Sequence, residues 1–157
     1  MATLRAQDNT PRDFYTGAMP TLERAIAIAA TAHMGQMNKD GGPYILHPIR
    51  VMMRVDALDA KMAGVLHDVV EDTAWTLDQL HAEGFSEAVL AAVDCLTHRD
   101  GEEYFEYVAR AGANPLARQV KLADLEDNMN VMRLAEVLDK DLERVRKYHK
   151  AWLMLRS

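Results

Sequence analysis

The distribution of apolar residues restricts this chain to helices. No segment of its 157 residues keeps the apolar–polar alternation that marks a half-buried strand. Helix-starting patterns recur instead: Thr76 and Gln79 have the spacing of a capping box, and Ser86 precedes an apolar run. Asn114-Pro115 combines a capping residue with a first-turn proline. The sequence therefore predicts an all-α fold.

The helical pattern predicts one domain preceded by a short arm. Residues 1–19 are polar and are expected to form a flexible arm, whereas residues 20–157 are long enough to bury a core. Asp59 and Asp100 are the predicted N-terminal caps of the third and sixth helices. The expected helices cover about residues 21–36, 47–55, 60–71, 76–84, 87–97, 101–111, 115–132 and 138–155.

Charge and cysteine content argue against several classes of protein. A formal net charge of −6 is unlike the basic excess of nucleic-acid-binding proteins, although a metal ion and lysines can still attract a small anion. The single cysteine, Cys95, has no internal disulfide partner and indicates a reducing, cytoplasmic setting. No apolar run has the length of a signal peptide or a membrane span. The sequence therefore predicts no nucleic-acid or membrane partner and leaves the oligomeric state open.

The segment from Ala63 to Thr73 concentrates side chains that handle metals and protons. On a helical projection it has one apolar arc and one polar arc with His67, Asp68, Glu71 and Asp72. A face turned to water would explain the polar arc, but its other members are small, which leaves room for a ligand or a second helix. Three acids without a base also repel one another unless a cation lies between them. The segment therefore favours metal-assisted hydrolysis.

Two further residues extend this candidate site. His33 continues an apolar stripe of the first helix, so it is expected to point inward, as a ligand or as a core histidine. Asp124 continues an apolar face at four-residue spacing, and a buried carboxylate requires a cation or a partner. Lys121 offers the alternative of an ion pair with Asp124 on a partly exposed face. Two histidines and two aspartates would suit Mn, Fe, Ni or Zn.

Three motifs, in this order, resemble the HD superfamily of metal-dependent phosphohydrolases. They are AHMGQMNKDGGPYILHP at 32–48, HDVVEDT at 67–73, and KLAD at 121–124 followed by Asn128. Together they look like the hydrolase domain of RelA/SpoT-type alarmone enzymes, over about residues 20–150. The resemblance implies a single-domain helical bundle of the HD type. Because this length has no room for a synthetase domain, it also implies a stand-alone small alarmone hydrolase.

The resemblance gives each motif residue a role. It implies that Mn²⁺, or another divalent transition metal, is held by His33, His67, Asp68 and Asp124. It makes Glu71 and Asp72 the catalytic acid pair and places Asn128 against the nucleotide, while Lys39, Lys121 and Tyr148 are further candidates for substrate binding. The implied reaction removes the 3′-diphosphate from ppGpp or pppGpp and gives GDP or GTP and pyrophosphate. No catalytic role falls to the other histidines, and a structural hydrogen bond would explain His47.

Several substrate-facing positions depart from the family pattern. Asn38 stands where longer members have an arginine that can stack on guanine. After Asp124 the family usually reads Arg-Leu-His-Asn-Met-Arg-Thr, and four departures from it here are Leu125, Asp127, Asn130 and Val131. The reaction class is therefore better supported than guanine specificity. Two alternatives remain: an HD phosphohydrolase acting on another nucleotide, and a nucleotide-binding protein that does not hydrolyse its ligand.

Overall fold

Nine α-helices and one 3₁₀ turn form the fold of residues 20–157, the part of the chain that the computed structural model describes. Among these residues the only strand-like pairing is one antiparallel bridge between Met37 and Pro43, so the predicted all-α fold is confirmed. The predicted arm, residues 1–19, lies outside the described residues. The helices are α1 (Leu22–Ala32), α2 (Leu46–Met53), α3 (Leu58–Leu66), α4 (Val69–Asp72), α5 (Leu77–Ala82), α6 (Glu87–Leu96), α7 (Tyr104–Ala113), α8 (Pro115–Asn128) and α9 (Asp139–Arg156), with the 3₁₀ turn at Val131–Arg133.

Side-chain caps begin several helices where the sequence predicts them. The Thr76 side chain accepts a hydrogen bond from the Gln79 backbone, and the Gln79 side chain returns one, which completes the capping box of α5. Ser86 caps α6, and Asn114 caps α8 ahead of its first-turn proline. Within residues 20–157, no helix has both the length and the apolar character needed to cross a bilayer.

Two of the predicted caps are wrong. Helix α3 begins at Leu58, so Asp59 lies inside its first turn and adds favourable negative charge there rather than capping it. Helix α7 begins at Tyr104, not after Asp100. The reason is a turn between them: Gly101 has a φ of +75°, in the left-handed region, and the Glu102 backbone N–H donates to the Arg99 carbonyl.

Three predicted helices are also shorter than expected. The first ends at Ala32 rather than about Gln36, because Gly35 turns the chain with a φ of +81°. The helix that was expected to reach about residue 132 ends at Asn128, and a separate 3₁₀ turn follows it. The continuous helix predicted over 60–71 is interrupted between Leu66 and Val69. These breaks lie next to the candidate site, where the chain turns to bring side chains together.

Helix α3 is the centre of the main hydrophobic core. It packs against α1, α2, α6 and α8, and its residues from Met62 to Leu66 are all buried. Gly64 is the point of closest approach to α2, because a Cβ there would lie 3.3 Å from the Met52 Cα and 3.4 Å from its backbone nitrogen. The small residues of this helix therefore admit a neighbouring helix, which is one of the two explanations that the sequence left open. A second apolar cluster joins α7, α8 and α9.

We expect the Gly64→Ala variant to be less stable than the wild type by about 1 kcal/mol. Over-packing of a well-filled contact costs about 1–3 kcal/mol, and the higher helix propensity of alanine returns about 1. Urea unfolding measures the difference. Gly112→Ala is the matched control, since its added Cβ would meet only the movable end of Leu155, at 2.7 Å. An equal or larger loss in the control would contradict the close α2–α3 contact as the cause.

Candidate metal centre and cleft

The side chains predicted as metal ligands come from three places in the fold. His33 immediately follows α1, His67 and Asp68 occupy the break between α3 and α4, and Asp124 lies in the last turn of α8. The His67 Nε2 is 2.9 Å from an Asp68 oxygen and 3.7 Å from an Asp124 oxygen. The break between α3 and α4 therefore places the His-Asp pair beside the third carboxylate.

Hydrogen bonds to the ring nitrogens orient two buried histidines. The His67 Nδ1 bonds the Gly64 carbonyl at 2.7 Å, and the His33 Nδ1 bonds the Gln36 Oε1 at 2.8 Å. The Gln36 amide nitrogen donates to the Asp72 carbonyl, so its oxygen is the acceptor toward His33. In both residues the proton of a neutral ring therefore lies on Nδ1 and the lone pair on Nε2. Both Nε2 atoms are buried. That of His33 has no hydrogen-bond partner within the described residues, and that of His67 faces the carboxylates of Asp68 and Asp124, so each is placed as a nitrogen ligand of a metal requires.

A third buried histidine joins the same centre. The nitrogen and oxygen donors of His47, His67 and Asp124 all lie within 4.8 Å of one another. The His47 Nε2 is 3.1 Å from an Asp124 oxygen and 3.7 Å from an Asp68 oxygen. These buried nitrogen and carboxylate donors fit a divalent metal ion, so the structure has a possible His/Asp metal site. The sequence analysis gave His47 only a structural bond.

Asp124 is held by several partners at the base of the site. The Lys121 ammonium donates to it at 2.9 Å, and the Asn128 amide donates to its other oxygen. Burial alone would raise the pKa of Asp124, but Lys121, His47 and His67 lower it well below its usual value. Lys121 and Asp124 are 7% and 5% exposed, so the predicted ion pair exists, but the expected partly exposed face is wrong.

The two remaining acids, Glu71 and Asp72, lie at the edge of the centre. Glu71 accepts a hydrogen bond from the His98 backbone N–H at 2.7 Å, and Asp72 accepts one from the Tyr44 hydroxyl at 3.3 Å. Desolvation raises the pKa of both carboxyls, and the charge of Asp68 raises both further. Raised pKa values suit groups that exchange protons in a reaction near neutral pH.

A cleft of about 770 Å³ opens over this centre. All four residues predicted to bind substrate line it: Lys39, Lys121, Asn128 and Tyr148. The carboxylates of Asp68 and Asp124, together with Glu71 and Asp72, face the same space. Four further cations also line the cleft and were missed by the sequence analysis: Arg50, Arg133, Arg144 and Lys147. The cleft therefore combines a possible metal site with lysine and arginine side chains suited to phosphate groups.

Two of the missed cations share one helix with Tyr148. The ammonium of Lys147 lies 4.4 Å from the centre of the Tyr104 ring and 5.3 Å from that of Tyr148. Arg144 pairs with Asp141 at 2.9 Å. The three-residue spacing of Arg144 and Lys147 is visible in the sequence, but nothing local indicates that α9 folds back over the metal centre.

The fold and the site together define a class of protein. A His-Asp pair and a distant aspartate converge within a bundle of helices below a cleft of about 770 Å³. This arrangement is the one that the HD-type motifs predict for a helical domain with a possible metal site.

Comparison with known proteins identifies relatives of the chain. No family model matches the chain. It is 35% identical over 131 residues to a GTP pyrophosphokinase of Streptomyces coelicolor. That alignment covers 75% of this chain and 15% of the relative. It is 43% identical over 77 residues to the guanosine-3′,5′-bis(diphosphate) 3′-pyrophosphohydrolase of Haemophilus influenzae. This second alignment covers 46% of this chain and 11% of the relative. Over the aligned residues the chain is homologous to these RelA/SpoT-type proteins, and it spans less than a fifth of their length.

A solved structure has the same fold over most of both chains. It is that of a metazoan ortholog of SpoT that hydrolyses ppGpp, with a TM-score of 0.72 and 22% sequence identity. The alignment covers 89% of this chain and 87% of the other. The predicted single-domain HD bundle is therefore confirmed as a fold.

Proposed function

We propose that this chain is a metal-dependent 3′-pyrophosphohydrolase of guanosine alarmones. It would convert ppGpp or pppGpp and water to GDP or GTP and pyrophosphate. The observation that carries the proposal is the placement of Glu71 and Asp72 beside the His-Asp centre, under one cleft that lysines and arginines also line. The names of the Haemophilus and metazoan relatives support the substrate. The proposed ligands are His33, His67, Asp68 and Asp124, with Mn²⁺ as the ion.

The proposed chemistry divides between the centre and the acid pair. When bound, the divalent ion supplies a water of lowered pKa and polarises a phosphate oxygen. Glu71 takes the proton of the attacking water on one carboxylate oxygen, while its Oε2 is held by the His98 backbone N–H. The water oxygen attacks the phosphorus joined to the ribose 3′ oxygen, and the bond between that phosphorus and the 3′ oxygen breaks. Glu71 or Asp72 then returns a proton to the 3′ oxygen.

The lysines of the cleft are proposed to hold the diphosphate groups. Lys39 and Lys147 line the cleft, together with Tyr148. The Lys121 ammonium already donates to Asp124 and, at 3.2 Å, to the Tyr107 hydroxyl. Its charge is therefore proposed to act on the substrate indirectly, through the proposed metal centre. Asn128 similarly fixes Asp124 and has room in the cleft for one nucleotide contact.

The test of this function is pyrophosphate release from ppGpp by the purified chain. We expect release with Mn²⁺ present, GDP as the co-product, and loss of activity after chelation that added Mn²⁺ reverses. Folded protein that binds Mn²⁺ and releases no pyrophosphate from ppGpp or pppGpp would refute the proposal. Parallel assays with the two substrates also measure which of them is preferred.

A second candidate is hydrolysis of another nucleotide by the same centre. Leu125, where the family has arginine, is buried and lines the cleft, and the Asn38 side chain donates to the Pro43 carbonyl at 3.4 Å. Neither side chain offers a cationic plane for guanine. Turnover confined to other nucleotides in a substrate panel would favour this candidate. Tight ppGpp binding without turnover would instead favour a non-hydrolysing nucleotide-binding protein.

Activity is expected to fall on acidification with a midpoint above 4.5, the ordinary pKa of a glutamate. Desolvation and the charges of Asp68 and Asp72 raise the pKa of Glu71, and only its ionised form takes a proton. Protonation as the pH falls therefore removes the base. The measurement is kcat/KM against pH. Mn²⁺ binding is followed over the same range, so that loss of the ion is distinguished from protonation of Glu71. Constant kcat/KM down to pH 4.5 would contradict the role of Glu71.

The cellular setting and other partners remain predictions. We propose a cytoplasmic location because Cys95 is the only cysteine. Desolvation raises the pKa of its thiol, which supports a structural rather than a nucleophilic role. The substrate is proposed to be a small nucleotide, and the predicted absence of nucleic-acid and membrane partners stays untested.

A further inference from the structure

The Glu71 carboxylate is oriented by the backbone of a loop rather than by a neighbouring side chain. Its Oε2 accepts from the His98 N–H at 2.7 Å, and within residues 20–157 no other hydrogen bond reaches this carboxylate. His98 lies in the α6–α7 loop, residues 97–103, which joins the end of α6 to the start of α7. Because a backbone N–H moves with its chain, the orientation of Glu71 depends on what fixes this loop.

Arg110 of α7 binds both ends of the α6–α7 loop. Its Nη1 donates to the Asp94 carbonyl at 3.1 Å, and its Nη2 donates to the Thr97 carbonyl at 2.9 Å, where α6 ends and the loop begins. Its Nε and Nη2 also donate to the two carboxylate oxygens of Glu102, at 2.7 Å each, near the other end of the loop. A forked pair of this kind is among the strongest contacts between an arginine and a carboxylate.

Glu102 connects the guanidinium to the residues on either side of the His98 N–H. Its Oε2 accepts from the Arg99 N–H at 3.1 Å, and its carbonyl accepts from the His98 Nε2 at 2.8 Å. Hydrogen bonds from Arg110 lower the pKa of Glu102 to about 2, so the pair stays ionised near neutral pH. The side chains of Arg110 and Glu102 are 20% and 14% exposed. One largely buried ion pair therefore holds the backbone that carries the His98 N–H.

We propose that Arg110 and Glu102 are positioning residues that hold the His98 N–H against Glu71 and so direct the other Glu71 oxygen toward the attacking water. The inference deepens the proposed function, since it rests on Glu71 being the base of that reaction. Arg110 lies outside the lining of the cleft, so it acts through the α6–α7 loop and not on the substrate. The placement of a reacting group matters because an error of about 1 Å can lower a rate about 100-fold.

Two variants and one control test the proposal. Arg110→Lys keeps the positive charge beside Glu102 but cannot form the forked pair and bind two carbonyls at once. Glu102→Gln keeps the size of the side chain and removes the charge that Arg110 binds. Arg99→Lys is the matched control, because the Arg99 side chain belongs to the same loop, is 59% exposed and pairs with Asp94 at 3.3 Å. Circular dichroism establishes which variants fold.

One measurement follows the loop and another follows catalysis. Amide hydrogen exchange of the full chain, resolved by NMR, reports on the His98 N–H directly. Pyrophosphate release from ppGpp with Mn²⁺ gives kcat and KM, and titration calorimetry gives Mn²⁺ affinity. A displaced base lowers kcat, whereas an unbalanced Glu102 charge at the cleft would repel the substrate and raise KM.

We expect the His98 amide to exchange faster in Arg110→Lys than in the wild type, and kcat to fall about 10–100-fold with KM and Mn²⁺ affinity unchanged. Glu102→Gln should change the exchange rate and kcat in the same directions, and Arg99→Lys should change neither. In a Glu71→Gln background, Arg110→Lys should lower kcat no further, because the base that it positions is already absent. A merely structural arginine would lower kcat equally in both backgrounds.

Wild-type kcat or a wild-type His98 exchange rate in folded Arg110→Lys would overturn the proposal, as would an equal loss of kcat in the two backgrounds. If Arg110→Lys does not fold, the same results in Glu102→Gln overturn it instead. A wild-type chain that releases no pyrophosphate contradicts the proposed function, and the His98 exchange rate then still shows whether Arg110 holds the loop. A wild-type chain that hydrolyses ppGpp, with kcat unchanged in Arg110→Lys, contradicts the positioning role alone.

Discussion

Asp124→Ala is expected to abolish Mn²⁺ binding and pyrophosphate release and to destabilise the fold by about 3–5 kcal/mol. The variant removes one proposed metal ligand, whose carboxylate also accepts from Lys121 at 2.9 Å. Lys121 is 7% exposed, so its ammonium would be left buried without its counter-charge. Urea unfolding gives the loss of stability, and titration calorimetry with Mn²⁺ gives the loss of binding.

A double variant separates the two losses. In Asp124→Ala/Lys121→Met the uncompensated charge is gone, so much of the stability should return while Mn²⁺ binding and activity stay absent. Recovery of metal binding in the double variant would show that Asp124 acts through folding alone. A single variant as stable as the wild type would contradict the burial of the ion pair.

Glu71→Gln is expected to retain Mn²⁺ and to lower kcat about 10²–10⁴-fold, the usual loss when a general base is removed. Glutamine preserves the size of the side chain and can still accept from the His98 N–H, which Glu71 does at 2.7 Å. It has no carboxylate to take a proton from water. Stopped assays of pyrophosphate release measure kcat, and calorimetry measures Mn²⁺ affinity.

Glu106→Gln is the matched control for this prediction, since Glu106 is an exposed glutamate of α7 outside the lining of the cleft. Its kcat should equal that of the wild type. Wild-type kcat in Glu71→Gln would exclude Glu71 as the base and leave Asp72 as the remaining candidate. Loss of Mn²⁺ from Glu71→Gln would mean that Glu71 belongs to the ligand set.

Local chemistry explains which parts of the fold the sequence predicts. The caps at Thr76, Ser86 and Asn114 depend on residues within three positions, and all three are confirmed. Asp100 fails as a cap because the chain turns at Gly101 before α7 begins. The break after Leu66 is harder to predict, since it depends on the His67 ring turning to the Gly64 carbonyl within the packed site.

Long-range contacts explain what the sequence leaves out of the candidate site. The bond between His47 and Asp127 joins residues that are 80 positions apart, and no local pattern links them. The contact of Glu71 with position 98 uses a backbone N–H, which any residue except proline can supply there. The four predicted ligands were found because each belongs to a short motif, and their roles as ligands remain predictions.

The division of the interior into two apolar clusters bears on how such a protein can change its substrate. Ala123 belongs to the cluster around α3, and Leu125, two residues later, belongs to the cluster under α9. Asp124 lies between the two clusters, so the proposed metal centre is at their boundary. Arg144, Lys147 and Tyr148 belong to α9. None of the proposed ligands is on that helix. Mutations in α9 can therefore change which phosphorylated molecule fits the cleft during evolution while the proposed metal centre is inherited unchanged.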